Sequence, residues 1–334
     1  QRQMCIRDRA LLAQDYALVL GMPGTGKTTT IATLIRILVA LGQSVLLCSY
    51  THSAVDTILS KLHAAHEVDV LRLGAVSRIH PSARRYALAE RLAPDASVEE
   101  YEALIEKPPV VAATCLATND PVFARRRFDV CIVDEASQIT LPTCLGPLRF
   151  ADRFVMIGDH HQLAPLVRDR RAARRGMQVS VFQRLCEAHP SALVHLRAQY
   201  RMNAAIMALS NALVYGGRLT AGSTQVATGS LALDKEAVLA AGKRLPETQR
   251  WMAAMARREP SVVFLDTDAL PARECRLEGL VENEGEAELI ASLVRFLRAC
   301  GVPAAHLGGL TPYRPQGRGP RPGGAALRGS VAAG

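Results

Sequence analysis

No run of about eighteen uninterrupted apolar residues occurs in the 334-residue chain, so no transmembrane helix is expected. The opening Gln1 to Arg9 (QRQMCIRDR) lacks the apolar centre of a signal peptide. Its implied codons read like a transposase-type sequencing adaptor, and residues 1–9 are expected to be a scar outside the fold. No C-x-x-C pair occurs among the eight cysteines, so neither a zinc site nor a disulfide framework is spelled out. Several of them lie in apolar strand-like runs, where a reduced cysteine is ordinarily a small core residue, and a reducing intracellular compartment is the expectation. Acidic residues are missing from Gly317 to Gly334, a stretch of Gly, Arg, Pro and Ala that cannot bury enough to fold. A basic disordered tail that touches nucleic acid is one reading, but a GC-rich gene read out of frame would yield the same residues, and residues 317–334 are expected to be a low-complexity or out-of-frame tail. Of the formal charge of +9, the two ends carry +5 and residues 10–316 carry +4, which permits a nucleic-acid partner without proving one.

What the chain does have is 49% hydrophobic and 21% charged residues, and enough length for two domains with large cores. Gly21 to Thr28 (GMPGTGKT) fits G-x-x-x-x-G-K-[ST] at every fixed position. It follows the strand-like Tyr16 to Leu20 and leads into Thr28 to Leu41, which contains neither Gly nor Pro. That is the strand, loop and helix context in which backbone N–H groups cradle a polyphosphate at a helix N-terminus. Lys27 then reaches the β- and γ-phosphates, and the Thr28 hydroxyl coordinates Mg²⁺.

Short apolar runs at 16–20, 44–50, 108–114, 128–134 and 153–159 alternate with longer helical stretches. The alternation predicts an α/β fold, a parallel sheet covered by helices, with ligands gathered at the carboxyl ends of the strands. Residues 10–219 are expected to form the first domain, with a helical insertion over about 76–107. Beyond Gly216 and Gly217 the pattern breaks. Strand-like runs at 261–266 and 307–311, with a helix from Glu284 to Cys300 between them, predict that a second α/β domain begins within 220–316.

Phe128 to Glu135 (FDVCIVDE) holds Asp134 and Glu135 at the mouth of a buried strand, one to hold Mg²⁺ through water and the other to orient the attacking water. The next strand delivers Gly158 to Pro165 (GDHHQLAP), where Gln162 can contact the γ-phosphate and report its loss. His160 and His161 have no third ligand at metal spacing and read as loop residues beside the nucleotide. In QYRMN (199–203), Tyr200 can stack on a base and Arg201 can meet phosphate.

These strings, in this order, resemble superfamily 1 helicases of the P-loop NTPase fold with tandem RecA-like domains. Together with SYTHSAVD (49–56), AATCLATN (112–119), CLGPL (144–148) and TPYRPQ (311–316), they resemble more narrowly the helicase half of the eukaryotic DNA replication ATP-dependent helicase/nuclease family. Met22 and the string Thr51-His52-Ser53 separate the chain from nonsense-mediated-decay RNA helicases, and His161 stands where the family usually has Gln. The resemblance implies ATP and Mg²⁺ as cofactors. Gly21, Pro23, Gly24, Thr25, Gly26, Lys27, Thr28, Thr29 and Tyr200 would bind the nucleotide, and Thr28 and Asp134 the metal. Lys27, Asp134, Glu135, Gln162 and Arg201 would serve catalysis, while Thr51, His52, Ser53, Thr114 and Thr311 would line a single-strand groove. It implies 5′ to 3′ movement on single-stranded DNA, action on Okazaki flaps and DNA ends, a single-strand binding protein as partner, no membrane, and a nuclear or mitochondrial setting. The family's adenine-recognising Gln motif, its nuclease domain with an iron–sulphur cluster, and its late FQG and Arg motifs do not appear in this sequence, so a fragment is expected. An RNA-remodelling ATPase and a non-catalytic nucleotide-binding scaffold are the competing readings. A scaffold has no need of Lys27, Asp134, Glu135 and Arg201 together.

Overall fold

The computed structural model describes residues 8–63, 68–258, 260–268, 274–277 and 280–311, and divides the chain into two compact units, 1–227 and 228–334. In the first unit, alternation within each strand decides the layering. Ala17 and Val19 of β1 (Tyr16–Gly21) face one core cluster, while Leu18 and Leu20 face the other. The same split places Val45 and Leu47 of β2 (Val45–Ser49) opposite Leu46 and Cys48. Strands buried on both faces need helices on both sides, and near-continuous apolar runs of this kind are what a parallel sheet requires. The sheet has seven strands, all parallel, completed by β3 (Val70–Arg72), β4 (Val110–Thr114), β5 (Phe128–Asp134), β6 (Ala151–Gly158) and β7 (Leu193–Leu196). Their order is β3-β4-β2-β5-β6-β1-β7.

Helices α1 (Lys27–Ala40) and α2 (His52–His63) cover one face. Ile31, Leu34, Ile35 and Leu38 of α1 recur at helical spacing and are buried, each contributing about 1.5–3 kcal/mol. The helix ends at Ala40, and beyond its Leu41 cap Gly42, with φ 76°, reverses the chain and donates its N–H to the Val39 carbonyl. The other face is covered by α3 (Val98–Glu106), α4 (Leu141–Leu148) and α5 (Val181–Ala188), with Phe128 and Phe182 at its centre. The chain then continues through α6 (Ala204–Ser210) to a wider turn at Asn211–Tyr215. Burial in this second cluster pushes the Cys144 thiol up to about 12, and Cys48, Cys115 and Cys131 lie in the same cluster as free thiols.

Several expectations need correcting. The stretch 76–107 is helical in pieces, with 3₁₀ turns at Val76–Arg78 and Pro81–Tyr86, a short helix at Leu88–Arg91 and one longer helix, α3, which starts at a Ser97/Glu100 capping box. A short strand, β3, was not expected at all. The first unit runs past 219 because Thr220 and Ala221 pair with Ala198 and Gln199 in a small parallel ladder. Asp8 and Arg9, expected outside the fold, start a helical turn, and Arg9 donates to the Ser191 carbonyl at 3.0 Å. Residues 1–7 and the 317–334 tail lie outside the described residues.

The second unit is built on α7 (Lys235–Arg244), α8 (Trp251–Arg258) and α9 (Glu284–Ala299), which enclose Val238, Met252, Ala253, Ala256, Phe296 and Cys300. The helix expected from Glu284 ends at Ala299, one residue short, but the strands expected at 261–266 and 307–311 are not formed. Phe264 and Leu310 are 88% and 86% exposed, because the described residues supply no sheet against which either run could hydrogen-bond and pack. A two-stranded antiparallel ladder, Cys275–Leu277 with Leu280–Glu282, stands there instead. Among the described residues no helix is long and apolar enough to cross a membrane.

Candidate active site

The carboxyl ends of β1, β5 and β6 converge on the loop 21–28. Gly26 has φ 82° and caps α1, so the helix begins at Lys27 with its free N–H groups turned toward the loop. Thr25 closes the loop from within, its buried hydroxyl donating to the Met22 carbonyl at 2.7 Å. Lys27 folds back over Gly21, donating to its carbonyl at 2.9 Å, and a Cβ on Gly21 would overlap the lysine stem. Its Nζ is also 3.9 Å from Glu135. Thr28 is half-buried beside it, and Thr29 accepts from Lys61 Nζ at 2.8 Å on the outer side.

Register across the sheet sets Ser49 of β2 opposite both Thr114 and Asp134. Asp134 is 5% exposed, and among the described residues its Oδ1 has no hydrogen-bond partner; the buried Ser49 hydroxyl has none among them either. Burial, with the Glu135 carboxylate next to it, raises the Asp134 carboxyl to about 7. Glu135 has φ 51°, the one positive value at a non-glycine among the described residues. Such strain of about 1–3 kcal/mol is held where geometry matters, and here it turns Glu135 out of the strand toward Lys27 and Gln138. An orphaned, buried carboxylate oxygen next in chain to Glu135, whose carboxylate lies 3.9 Å from Lys27, suits a hard divalent cation. Thr28 and Asp134 therefore fit Mg²⁺, which needs only one or two protein oxygens when phosphates and waters complete its shell. No group of three His, Cys, Asp or Glu able to hold a metal exists among the described residues, and His160 and His161 are loop residues.

The QYRMN segment is tied directly to the loop. Tyr200 N–H donates to the Gly24 carbonyl at 2.9 Å, and a Cβ on Gly24 would stand 2.7 Å from Arg201 Cβ. Gln199 has no exposed surface; its Oε1 accepts from the N–H groups of Arg201 and Met202 at 2.8 and 2.7 Å, and its Nε2 donates to the Met202 carbonyl at 2.6 Å. This side chain fixes the turn that presents Tyr200, 55% exposed, and the exposed Arg201. Asp159 does the same for the next loop. It is buried and accepts from Gln162 Nε2 at 2.6 Å, His161 N–H at 3.1 Å and the Tyr215 hydroxyl at 2.9 Å, while its own N–H donates to Ser137 Oγ. Gln162 is exposed but tethered through Asp159 to the strand end.

Of the expected groove residues, Thr51 is exposed, and its hydroxyl accepts from the Ala54 N–H at 3.3 Å, capping α2. Ser53 is exposed 3.3 Å from it, whereas Thr114 is only 6% exposed. Half-buried His52 meets the fully buried Arg72, whose Nη2 is 3.1 Å from His52 Nδ1. Arg72 is paired with Asp56 at 2.9 Å, and Asp56 also accepts from the His80 N–H at 2.8 Å. Burial and the Arg72 charge lower the His52 pKa. Thr311 is half-buried in the second unit. Gln199, Asp159, Arg72 and Asp56 carried no role in the sequence reading, although Asp56, Asp159 and Gln199 stand inside strings singled out there. Burial, which a sequence does not display, is what marks them.

One AAA-domain family profile matches residues 1–103 and 95–170, and a second, also described as an AAA domain, matches residues 177–319. The chain belongs to the AAA-domain family. It is 49% identical over 313 residues to a Xenopus laevis protein named DNA replication ATP-dependent helicase/nuclease DNA2, covering 92% of this chain and 29% of that protein. The human protein of the same name is 46% identical over the same shares, and the Saccharomyces cerevisiae one is 42% identical, with 20% of it covered. The AAA-domain chain thus spans under a third of these relatives. An arterivirus nonstructural protein 10 helicase in complex with DNA superposes over 66% of this chain and 43% of its own at 17% identity and a TM-score of 0.37, too loose a likeness to bear on function.

Proposed function

We propose that the chain is the motor portion of an ATP-dependent DNA helicase of replication and repair. The observation that carries this reading is the convergence, on one phosphate-binding loop, of Lys27, the orphaned Asp134 carboxylate, the strained Glu135 and the Gly24-anchored Tyr200–Arg201 turn. Lys27 would release Gly21 to meet the β- and γ-phosphates. Thr28 and Asp134 would hold Mg²⁺, which supplies charge neutralisation at the transferring phosphoryl group. Glu135 would orient the attacking water, Gln162 would sense the γ-phosphate from its Asp159 tether, and Arg201 would meet the phosphates while Tyr200 stacks on adenine. Thr51, His52, Ser53, Thr114 and Thr311 would contact strand phosphates, which carry no sequence information and suit movement along any strand.

The names of the relatives support DNA over RNA as the track, and the AAA-domain match to residue 319 supports reading residues beyond 227 as the start of a second motor domain. Movement 5′ to 3′, flap and end substrates, a single-strand binding partner and a nuclear setting belong to this proposal through the same resemblance. The test is ATP turnover of the full chain with single-stranded DNA or RNA of one sequence. Stimulation by DNA at least tenfold above that by RNA is expected; the reverse order, or none, contradicts the DNA motor.

A further inference from the structure

Residues 168–175 (RDRRAARR) place five arginines in eight positions, and all five are exposed. The segment leaves the Asp159–Gln162 loop at the carboxyl edge of the sheet. It becomes helical at Arg170–Ala172 and widens into a π-type turn at Ala173–Met177, which Gly176 ends with φ 94°. In that geometry Arg170 lies one turn from Arg174, and Arg171 one turn from Arg175. Like charges four apart repel by a few tenths of a kcal/mol per pair, so the fold holds these side chains together at a cost. The one acid in the segment, Asp169, is engaged as the cap, accepting from the Ala172 N–H at 2.6 Å. None of the five arginines forms an ion pair among the described residues. Arg184 of α5 adds a further guanidinium, 3.5 Å from where a Cβ on Gly176 would stand. An ordinary solvated surface interleaves both signs; this one gathers a single sign and a single residue type.

Resting on the motor reading above, we propose that residues 168–175 are a phosphate-gripping arm that holds the backbone of the nucleic acid beside the nucleotide loop. Guanidinium forks match phosphate oxygens in pairs and ignore base sequence. Docking of a protein would call for an apolar centre; within 168–175 the uncharged side chains are only Ala172 and Ala173, both half-buried, and the exposed Leu163, Leu166 and Met177 flank the arginines without interrupting them. The phosphates can belong to a single strand or to a duplex ahead of the motor.

Salt dependence of binding separates these cases. Affinity of the full chain is measured by fluorescence anisotropy between 50 and 200 mM salt for a labelled single strand and a labelled blunt duplex, for the parent and for Arg170→Gln/Arg171→Gln/Arg174→Gln/Arg175→Gln. Once those four guanidinium groups no longer neutralise phosphates, the slope of log K against log salt becomes shallower by roughly 3.6 on duplex or 2.8 on single strand, and the substrate that shows the change is the one gripped. ATP turnover without nucleic acid stays at the parental value, since these side chains touch neither the nucleotide nor the core, and the melting temperature does not fall, because the substitutions only relieve repulsion among the arginines. A slope change below about one unit on both substrates, with the parent binding normally, overturns the arm and leaves the motor reading standing. A parent that binds neither substrate overturns the motor reading and the arm with it.

Discussion

The two units differ in how they cover their apolar surface. In the first, every apolar strand residue meets a helix or a neighbouring strand, and the central strands β2 and β5 are buried almost end to end. In the second, three helices share a small core, while Val262 and Val263, 44% and 45% exposed, and Phe264, 88% exposed, lie outside any strand. An apolar run becomes a strand only when partners exist to take its hydrogen bonds and cover its faces. Hydrophobic pattern alone therefore specified the sheet in one region and over-specified it in the other.

The sharpest way to break this contrast is to open the first unit from inside. Asp56→Ala leaves the fully buried Arg72 guanidinium unpaired and should destabilise the first unit by about 3–5 kcal/mol. Hydrogen exchange followed unit by unit is the readout, with α7–α9 keeping their protection. Equal loss of protection in both units would show that they fold as one body, contrary to the division described.

A smaller effect probes the site itself. Burial raises the Asp134 carboxyl to about 7, so between the ordinary carboxylate range and about pH 7 the folded chain holds a proton that the unfolded chain has released. Stability from this group is therefore greatest at low pH and is lost as pH rises through about 7. Asp134→Asn should raise the melting temperature at pH 8, by on the order of 1–3 kcal/mol in stability, with the gain vanishing near pH 4. A variant less stable than its parent at pH 8 would mean that Asp134 has a partner and is no orphan. The smallest effect belongs to the second unit: Phe264→Ser should change its stability by less than about 0.5 kcal/mol in urea unfolding. A cost above about 1 kcal/mol would place that run in a packed strand after all.

What the sequence made legible follows the same logic. The phosphate loop, the β5 carboxylate pair and the QYRMN turn are local strings whose chemistry depends on a few consecutive residues, and the structure gathers them at one edge. β5 matches its expected bounds of 128–134 because it is apolar on both faces. Gln199, Asp159, Ser49 and the Arg72–Asp56 pair were not legible, since each acts through partners distant in sequence or through burial. Arg72 pairs with Asp56, sixteen positions away, and Asp159 meets Tyr215, fifty-six positions away. β3 escaped because three residues carry too little pattern.

In the proposed motor, Lys27 and Glu135 divide nucleotide binding from hydrolysis at one loop. Calorimetric titration of Mg-ATP into Glu135→Gln and Lys27→Ala, with turnover measured alongside, tests it most directly. Glu135→Gln should bind within about threefold of the parent while its turnover falls by on the order of 10²-fold or more, and Lys27→Ala should lose both. Equal loss of affinity in the two variants, or turnover that survives in Glu135→Gln, would contradict it.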